Sequence, residues 1–326
     1  MKPFKLINAG SLEEAIASLQ QPDARVMAGG TDMLGVLKGN FLPQYPGTIV
    51  NIGSIKGLDY IKSADDGTLR IGALTRLADI AESDVVKTRY SALFRAARKT
   101  ASHNLRNMGT IGGNICQFVR CWYMRGTDNF FFCTRKGGET CYADIGDNRY
   151  HSIFGGVSGC ISVNCSDVAP ALVALNAQIV TTKRKIPADA FWSVKTPGST
   201  ALSDDELVTE VAVPPPPDGA RSAFIKFSLR NTIGFPIVNC AAMIGGGEAR
   251  VCLNAVYPKP YRAVLAEELV KGRAIDEELA EQAGEAAIRE ARPRELNAYK
   301  VQIAKVLVKR TILACSPTAT SGEGEL

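Results

Sequence analysis

The side chains best equipped for chemistry in this sequence are its cysteines. Six of the nine, Cys116, Cys121, Cys133, Cys141, Cys160 and Cys165, fall within fifty residues. Thiolates are soft ligands that suit zinc and iron–sulfur clusters. The opening Met1-Lys2-Pro3-Phe4-Lys5 does not read as a basic stretch leading into an apolar leader. A reducing compartment, the cytoplasm, is therefore expected, and with it metal binding in preference to disulfides. Histidine is scarce, with only His103 and His151, so a histidine-built metal site or a Ser-His-Asp triad has almost no raw material.

Two glycine loops form the second chemical signal. Ala28-Gly29-Gly30-Thr31-Asp32 lies between a strand pattern at 25–28 and a helical one at 33–38. Gly109-Thr110-Ile111-Gly112-Gly113-Asn114 repeats the theme some eighty residues later. Glycines let backbone N–H groups converge on an anion, and a helix N-terminus adds favourable dipoles. Each loop alone is equally an ordinary turn; together they suggest a diphosphate held from both sides. Neither matches G-x-G-x-x-G, so the usual Rossmann reading is not supported.

The elements that must position these segments follow from periodicity. At 46% hydrophobic and 22% charged, the 326 residues are ordinary globular material, enough for about two domains. A net charge of +5 over this length is too dilute to argue for nucleic acid, and no apolar run is long enough to span a membrane. Ser11-Leu12-Glu13-Glu14 reads as a capping box opening a helix to about residue 20. Short strands are expected at 49–52 and 69–71, with a helix capped by Thr75 running through 82 and another at 90–100. From 104 to 166 regular periodicity disappears, and a metal holding loops together is one reason for that. Patterns resume as a helix at 168–175 and strands at 178–182 and 207–213. Pro214-Pro215-Pro216-Pro217-Asp218-Gly219 then reads as a boundary. Three strands, 222–229, 236–244 and 249–257, and three helices, 260–271, 275–291 and 297–314, suggest an α+β unit beyond it. Residues 316–326 read as a disordered tail.

Taken in order, Ala28-Gly29-Gly30-Thr31-Asp32, Leu105-Arg106-Asn107-Met108-Gly109-Thr110-Ile111-Gly112-Gly113-Asn114 and Ser166-Asp167-Val168-Ala169-Pro170-Ala171-Leu172 resemble the FAD-binding medium subunit of molybdenum hydroxylases, the xanthine dehydrogenase and carbon monoxide dehydrogenase family. Asp205-Glu206-Leu207-Val208 and Ser222-Ala223-Phe224-Ile225-Lys226 extend the resemblance over essentially the whole chain. It implies a vanillyl-alcohol oxidase (PCMH)-type FAD-binding domain of two α/β subdomains over residues 1–218, then an α+β C-terminal domain with a three-stranded sheet over 219–315. It also implies roles. The loop Val26, Met27, Ala28, Gly29, Gly30, Thr31, Asp32 and Met33, together with Thr110, Ile111, Gly112, Gly113 and Asn114, would bind the FAD diphosphate. Asp167 would hydrogen-bond within the cofactor site, Val208 would line the pocket, and Lys226 would lie close to the flavin ring.

The family resemblance also gives the cysteines a setting. Fifty-one residues separate Asn114 from Ser166, where most relatives run almost directly from one motif to the next. An insertion of this kind, about 115–165, is similar to that of the 4-hydroxybenzoyl-CoA reductase flavin subunit and of some aldehyde oxidoreductase flavin subunits, which carry an extra [4Fe–4S] cluster there. By that resemblance Cys121, Cys133, Cys141 and Cys160 would be the ligands, with Cys116 and Cys165 left over. A Cys₄ zinc site uses the same ligand types, and a zinc-stapled interaction module without redox role is the rival reading. Cys240, Cys252 and Cys315 lie in periodic segments and read as core residues. Arg120, Arg125, Arg135, Lys136 and Arg149 could favour an anionic partner or a reduced cluster, but read better as a solvated basic face.

The function so implied is that of an oxidoreductase subunit carrying FAD and [4Fe–4S]. It would pass electrons between an external carrier such as ferredoxin and a small [2Fe–2S] subunit wired to a large molybdopterin-binding subunit, in a dimer of heterotrimers. The resemblance points first to a 4-hydroxybenzoyl-CoA reductase-like enzyme, with an aldehyde or purine and N-heterocycle dehydrogenase of the same family as the alternative, and no catalytic acid or base is required of this chain. A stand-alone flavin oxidase on the same fold would differ in holding its flavin covalently.

Overall fold

The computed structural model describes residues 1–195 and 197–317. Its first sheet is small and parallel, with Thr48–Asn51 between Lys5–Asn8 and Ala24–Met27. Parallel neighbours need crossover connections, and the helices Leu12–Leu19 and Met33–Gly39 supply them. Ser11 caps the first helix by accepting from the Glu14 N–H at 3.2 Å, and the Glu14 carboxylate accepts from the Gly10 N–H at 2.8 Å. Ala15 and Leu19 on its inner face pack with Ala9, Val50 and Ile52.

The second sheet is antiparallel and five-stranded, in the order Ile61–Ser63, Leu69–Gly72, Val208–Val213, Gln178–Thr181, Lys185–Pro187. Its apolar face, which includes Leu69, Ile71, Ile179, Val211 and Val213, shares a core with the helices Leu77–Glu82, Ser91–Arg98 and Val168–Ala174. Every residue of Val168–Ala174 is buried, which is why that segment carries no polar side chain.

The chain beyond the proline run forms the third sheet, antiparallel, in the order Tyr261–Arg262, Glu248–Asn254, Val238–Gly245, Arg221–Phe227. Three strands were expected; the two-residue Tyr261–Arg262 adds a fourth where the sequence reads as the start of a helix. Strand alternation explains how this sheet is covered on both faces. Phe224, Ala241, Met243 and Cys252 join the core of the second sheet, while Ala223, Ile225, Ala242, Val251 and Leu253 pack under the helices Val264–Val270, Glu277–Ala287 and Tyr299–Leu313. The proline run thus links two sheets whose core is continuous.

Some elements depart from expectation. Thr75 caps nothing: its hydroxyl donates to the Tyr60 carbonyl at 2.9 Å, and the helix Leu77–Glu82 begins after Arg76, whose N–H donates to Asp79 at 3.3 Å. The strands Lys5–Asn8 and Ile61–Ser63 escape a periodicity reading because both are largely exposed edges with little apolar alternation. Ser316, expected at the start of a disordered tail, is 5% exposed and its carbonyl accepts from Arg221 at 2.8 Å; residues 318–326 of the expected tail lie outside the described residues. No helix among the described residues is long and apolar enough to cross a membrane.

Residues 104–166 hold only short elements, among them the helices His103–Arg106, Ile111–Cys116 and Tyr142–Ile145. A local core of Val36, Phe41, Leu42, Val119, Met124 and Cys133 attaches this segment to the helix Met33–Gly39. Phe131 packs between Tyr123 and Tyr142, with ring centroids 5.2 and 5.0 Å away, whereas Phe130 is 79% exposed.

Candidate functional site

The two glycine loops meet backbone to backbone at the mouth of a cleft. A Cβ on Gly29 would lie 1.8 Å from the Met108 carbonyl oxygen, so only glycine permits this approach. Gly30 turns the chain with φ +73°, a conformation that costs other residues strain. Beyond this turn the N–H groups of Gly29, Gly30, Thr31 and Asp32 have no acceptor among the described residues. They are free to receive an anion.

The second loop is different. Its Ile111 N–H donates to the Thr75 carbonyl and its Gly112 N–H to the Ala73 carbonyl, both at 2.9 Å, and the Gly113 N–H donates to Thr110 Oγ1 at 3.1 Å. These donors are spent on holding the helix Ile111–Cys116 against the second sheet. A diphosphate cradle built of N–H groups from both sides, as the sequence suggests, is therefore reduced on this side to the Thr110 N–H, which has no acceptor among the described residues. Ile111 itself is fully buried in the core and forms no part of the cleft wall.

The cleft comprises two open chambers of about 220 and 310 Å³, which meet at Thr31, Asp32, Thr110, Gly113 and Gln117. Joined in series they reach the size of a ligand cleft and suit an extended dinucleotide. The whole stretch from Val26 to Met33 lines the first chamber, with Gly112 and Val208. Asn114, Asp167 and the segment Ile233-Gly234-Phe235 line the second. That last segment carries no signal in the motifs. The available hint is compositional: Leu229, Ile233 and Phe235, 72, 48 and 51% exposed, are large apolar side chains in a loop.

Asp32 and Asp167 line the cleft with their charges already satisfied. Asp32 accepts from Arg125 at 2.7 Å, from Arg120 at 3.0 Å and from the Phe118 N–H at 2.9 Å, which ties the first loop to the start of the insertion. Asp167 accepts from Lys226 at 2.6 Å and from Asn239 at 2.8 Å. Burial pushes the Asp167 carboxyl above its usual range, against the pull of Lys226. Lys226 stands behind Asp167, donating also to the Lys99 carbonyl at 3.0 Å, and is not part of the cleft wall.

Beyond Phe118 a second site opens. Cys121, Cys133, Cys141 and Cys160 line one small cavity with Val119, Met124 and Ala143. The thiols are close enough to interact electrostatically, Cys121 with Cys133 and Cys160, and Cys141 with Cys160. No three His, Cys, Asp or Glu side chains among the described residues are grouped as ligands of a metal ion. Burial pushes the Cys121 thiol up to about 12 and raises Cys141 as well. Burial also acts on Cys160, but Arg135 and Ser162 outweigh it and pull that thiol below its usual value.

The charges around this cavity decide what fits it. Arg135 and Lys136, expected on a solvated face, are 1 and 2% exposed, and Lys136 Nζ and Arg135 Nε have no hydrogen-bond partner. Burial pulls the Lys136 ammonium below its ordinary value, offset by Cys133 and Cys121. An unpaired buried cation is costly unless an anion stands beside it. A net-negative group held by four thiolates, whether an iron–sulfur cluster or a zinc ion, would meet that need. Of the other basic residues, Arg120 and Arg125 clamp Asp32, and only Arg149, paired with Asp147, fits the surface reading. His151, missed in the sequence, places Nε2 3.2 Å from Cys121 Sγ. Cys116 and Cys165 line the two chambers of the cleft instead, one in each.

A cleft between a parallel sheet and an antiparallel one, rimmed by the loop Ile233-Gly234-Phe235 of the third sheet, is the arrangement expected of a PCMH-type flavoprotein. Residues 2–216 match the family model of the FAD binding domain in molybdopterin dehydrogenase, and residues 223–315 that of the CO dehydrogenase flavoprotein C-terminal domain. The chain belongs to the molybdenum hydroxylase family as one of its FAD-binding oxidoreductase subunits. It is 34% identical over 317 residues to the aldehyde oxidoreductase FAD-binding subunit PaoB of Escherichia coli K12, covering 94% of this chain and 96% of that one. The glyceraldehyde dehydrogenase medium chain of Sulfolobus acidocaldarius is 28% identical over 94% of this chain and 96% of its own. Among solved structures, carbon monoxide dehydrogenase from Hydrogenophaga pseudoflava superposes with a TM-score of 0.73 at 27% identity, over 96% of this chain and 97% of that one.

Proposed function

We propose that this chain is the electron-transfer subunit of an aldehyde-oxidising molybdenum hydroxylase, and that it carries a [4Fe–4S] cluster besides FAD. Residues 1–218 would form the flavin-binding unit and 219–315 the C-terminal unit. The observation that carries the cluster is the cavity shared by Cys121, Cys133, Cys141 and Cys160 beside the buried, unpaired Lys136. Aldehyde is favoured as the substrate class, over the 4-hydroxybenzoyl-CoA reductase reading, by the names of the relatives PaoB and the glyceraldehyde dehydrogenase medium chain.

FAD supplies the junction between one- and two-electron chemistry. The free N–H groups of Gly29 to Asp32 would receive its diphosphate, and Thr110, Gly112, Gly113, Asn114 and Val208 would shape the walls around it. Asp167, fixed by Lys226 and Asn239, would present its carboxylate edge to the second chamber. The cluster would stand on the far side of Phe118 as an exit for electrons toward an external carrier such as ferredoxin. A large molybdopterin-binding subunit and a small [2Fe–2S] subunit would complete the enzyme in the cytoplasm.

The test is a visible spectrum of anaerobically purified protein, with iron, zinc and sulfide analysis and acid precipitation of the same sample. Flavin released into the supernatant, with about four irons and four sulfides per chain for one Cys₄ cluster, is the expected result. Zinc in place of iron, or no metal, would leave an FAD subunit and remove the cluster.

A further inference from the structure

We propose that His151 tunes the reduction potential of the thiol-bound cluster by donating a hydrogen bond from Nε2 to Cys121 Sγ. The inference rests on the cluster reading above and adds to it a residue that no ligand pattern includes.

The geometry is fixed from several sides. His151 is 3% exposed, with Nε2 3.2 Å from Cys121 Sγ. The rings of Trp122 and Tyr123 pack on the imidazole at 6.0 and 6.2 Å between centroids. Its backbone is held as firmly. The His151 N–H donates to the Asn148 carbonyl at 2.8 Å, and its own carbonyl accepts from Lys300 Nζ at 2.9 Å. Asn297 adds donation to the carbonyls of Asn148 and Ser152 at 3.2 and 3.1 Å. The last helix and the turn before it therefore grip residues 148–152, and through them set the imidazole against the thiol.

The tautomer follows from the surroundings. A ligating thiolate has no proton to give, so the contact forms a hydrogen bond only if Nε2 carries the hydrogen. Nδ1 then presents a lone pair, and no donor or acceptor among the described residues reaches it. The opposite tautomer would bury an N–H without a partner and set two lone pairs against each other. Hydrogen bonds to cluster sulfurs and their ligands stabilise the more negative, reduced state and raise the potential. With a single electron entering and no atom transferred, the effect is purely on the potential.

The experiment compares the complete enzyme, wild type, with His151→Gln and His151→Phe by EPR-monitored redox titration. His151→Phe is expected to lower the cluster potential enough to change its oxidised-to-reduced ratio about tenfold at the wild-type midpoint, which is 59 mV for one electron. His151→Gln, which keeps a donor, should recover part of that shift. Unchanged potentials in both variants, with iron and sulfide intact, overturn the proposal while leaving the cluster in place. Should His151→Phe lose its iron, ¹⁵N-histidine labelling decides: a ¹⁵N coupling on the reduced cluster that disappears in His151→Gln supports the hydrogen bond, and its absence from the wild type overturns it. Wild-type enzyme lacking the cluster's iron and sulfide would instead bring down the cluster reading itself, and this inference with it.

Discussion

Lys226 Nζ stands 2.6 Å from Asp167 Oδ2, with both side chains 4% exposed, so a strand beyond the proline run neutralises the carboxylate that opens the helix Val168–Ala174. Asn239 on the neighbouring strand takes the other oxygen at 2.8 Å. The pair joins the two sequence regions on either side of the proline run at the floor of the cleft.

Breaking that pair by removing one partner leaves an uncompensated buried charge. Lys226→Met is expected to destabilise the protein by about 3–5 kcal/mol. Asp167→Asn in the same background should restore part of it, because an amide in place of the carboxylate leaves no charge to compensate. A urea titration of the single and double variants checks this; an additive pair of losses would disprove the coupling.

Gly29 makes a second prediction about contact. Its substitution by alanine would drive a Cβ into the Met108 carbonyl oxygen, which is backbone and cannot swing aside. Overpacking of this kind costs about 1–3 kcal/mol, and here it parts the two loops. Gly29→Ala is expected to purify without flavin and with a lowered melting temperature. Gly10→Ala, where the nearest atom is the flexible Glu14 carboxylate at 3.6 Å, is the control and should keep both.

Asp32 is predicted to act as a clamp. Two arginines and the Phe118 N–H depend on its carboxylate, and Asp32→Asn removes the charge they share. A loss of about 1.5–3 kcal/mol in the docking of the insertion is expected for part-buried hydrogen bonds to a charged group. Limited proteolysis reads it directly: faster cleavage between 119 and 148 in Asp32→Asn, before the rest of the chain is cut, is the expected pattern.

Replacing a ligand separates the two cofactors. Cys133→Ser should lose iron and sulfide while keeping flavin, since Cys133 lines the thiol cavity and neither chamber of the cleft. Cys165→Ser should keep both, because Cys165 Sγ points at Gln117 and the Phe118 carbonyl. Iron lost from Cys165→Ser and retained in Cys133→Ser would reverse the ligand assignment.

How much of this was legible in the sequence depends on whether a feature is local. The helix Leu12–Leu19, its Ser11 cap and the long strands beyond the prolines follow from periodicity and capping alone. Edge strands did not, because exposure removes the alternation that marks them. At the site, residue types identified both loops, but not that the N–H groups of Ile111, Gly112 and Gly113 in the second are consumed by Thr75, Ala73 and Thr110. Those partners are remote in sequence or belong to side-chain rotamers. The basic residues misled for the same reason: Arg135 and Lys136 look like surface charge until the fold places them beside four thiols. His151 was discounted as one of only two histidines, although its contact with Cys121 spans thirty residues.

Lys300 carries the last prediction. It is 1% exposed, donates to the carbonyls of His151 and Ala255 at 2.9 and 2.6 Å, and pairs with no carboxylate among the described residues. Burial pulls its ammonium down to about 7. Unfolded, the same group holds its proton to about 10.4. Between those values the unfolded chain binds more protons than the folded one, so this residue's contribution to stability rises with pH. Below about 7 the charge is present in both states, and its burial is a standing cost. Unfolding midpoints measured from pH 6.5 to 9.5 should therefore climb in the wild type by this contribution. In Lys300→Met the climb should flatten, and a slope unchanged by the substitution would show that Lys300 is neutral or charged in both states throughout. Because its carbonyl partner belongs to His151, the same variant should also loosen the imidazole from Cys121, which links the stability of the last helix to the chemistry of the thiol cavity.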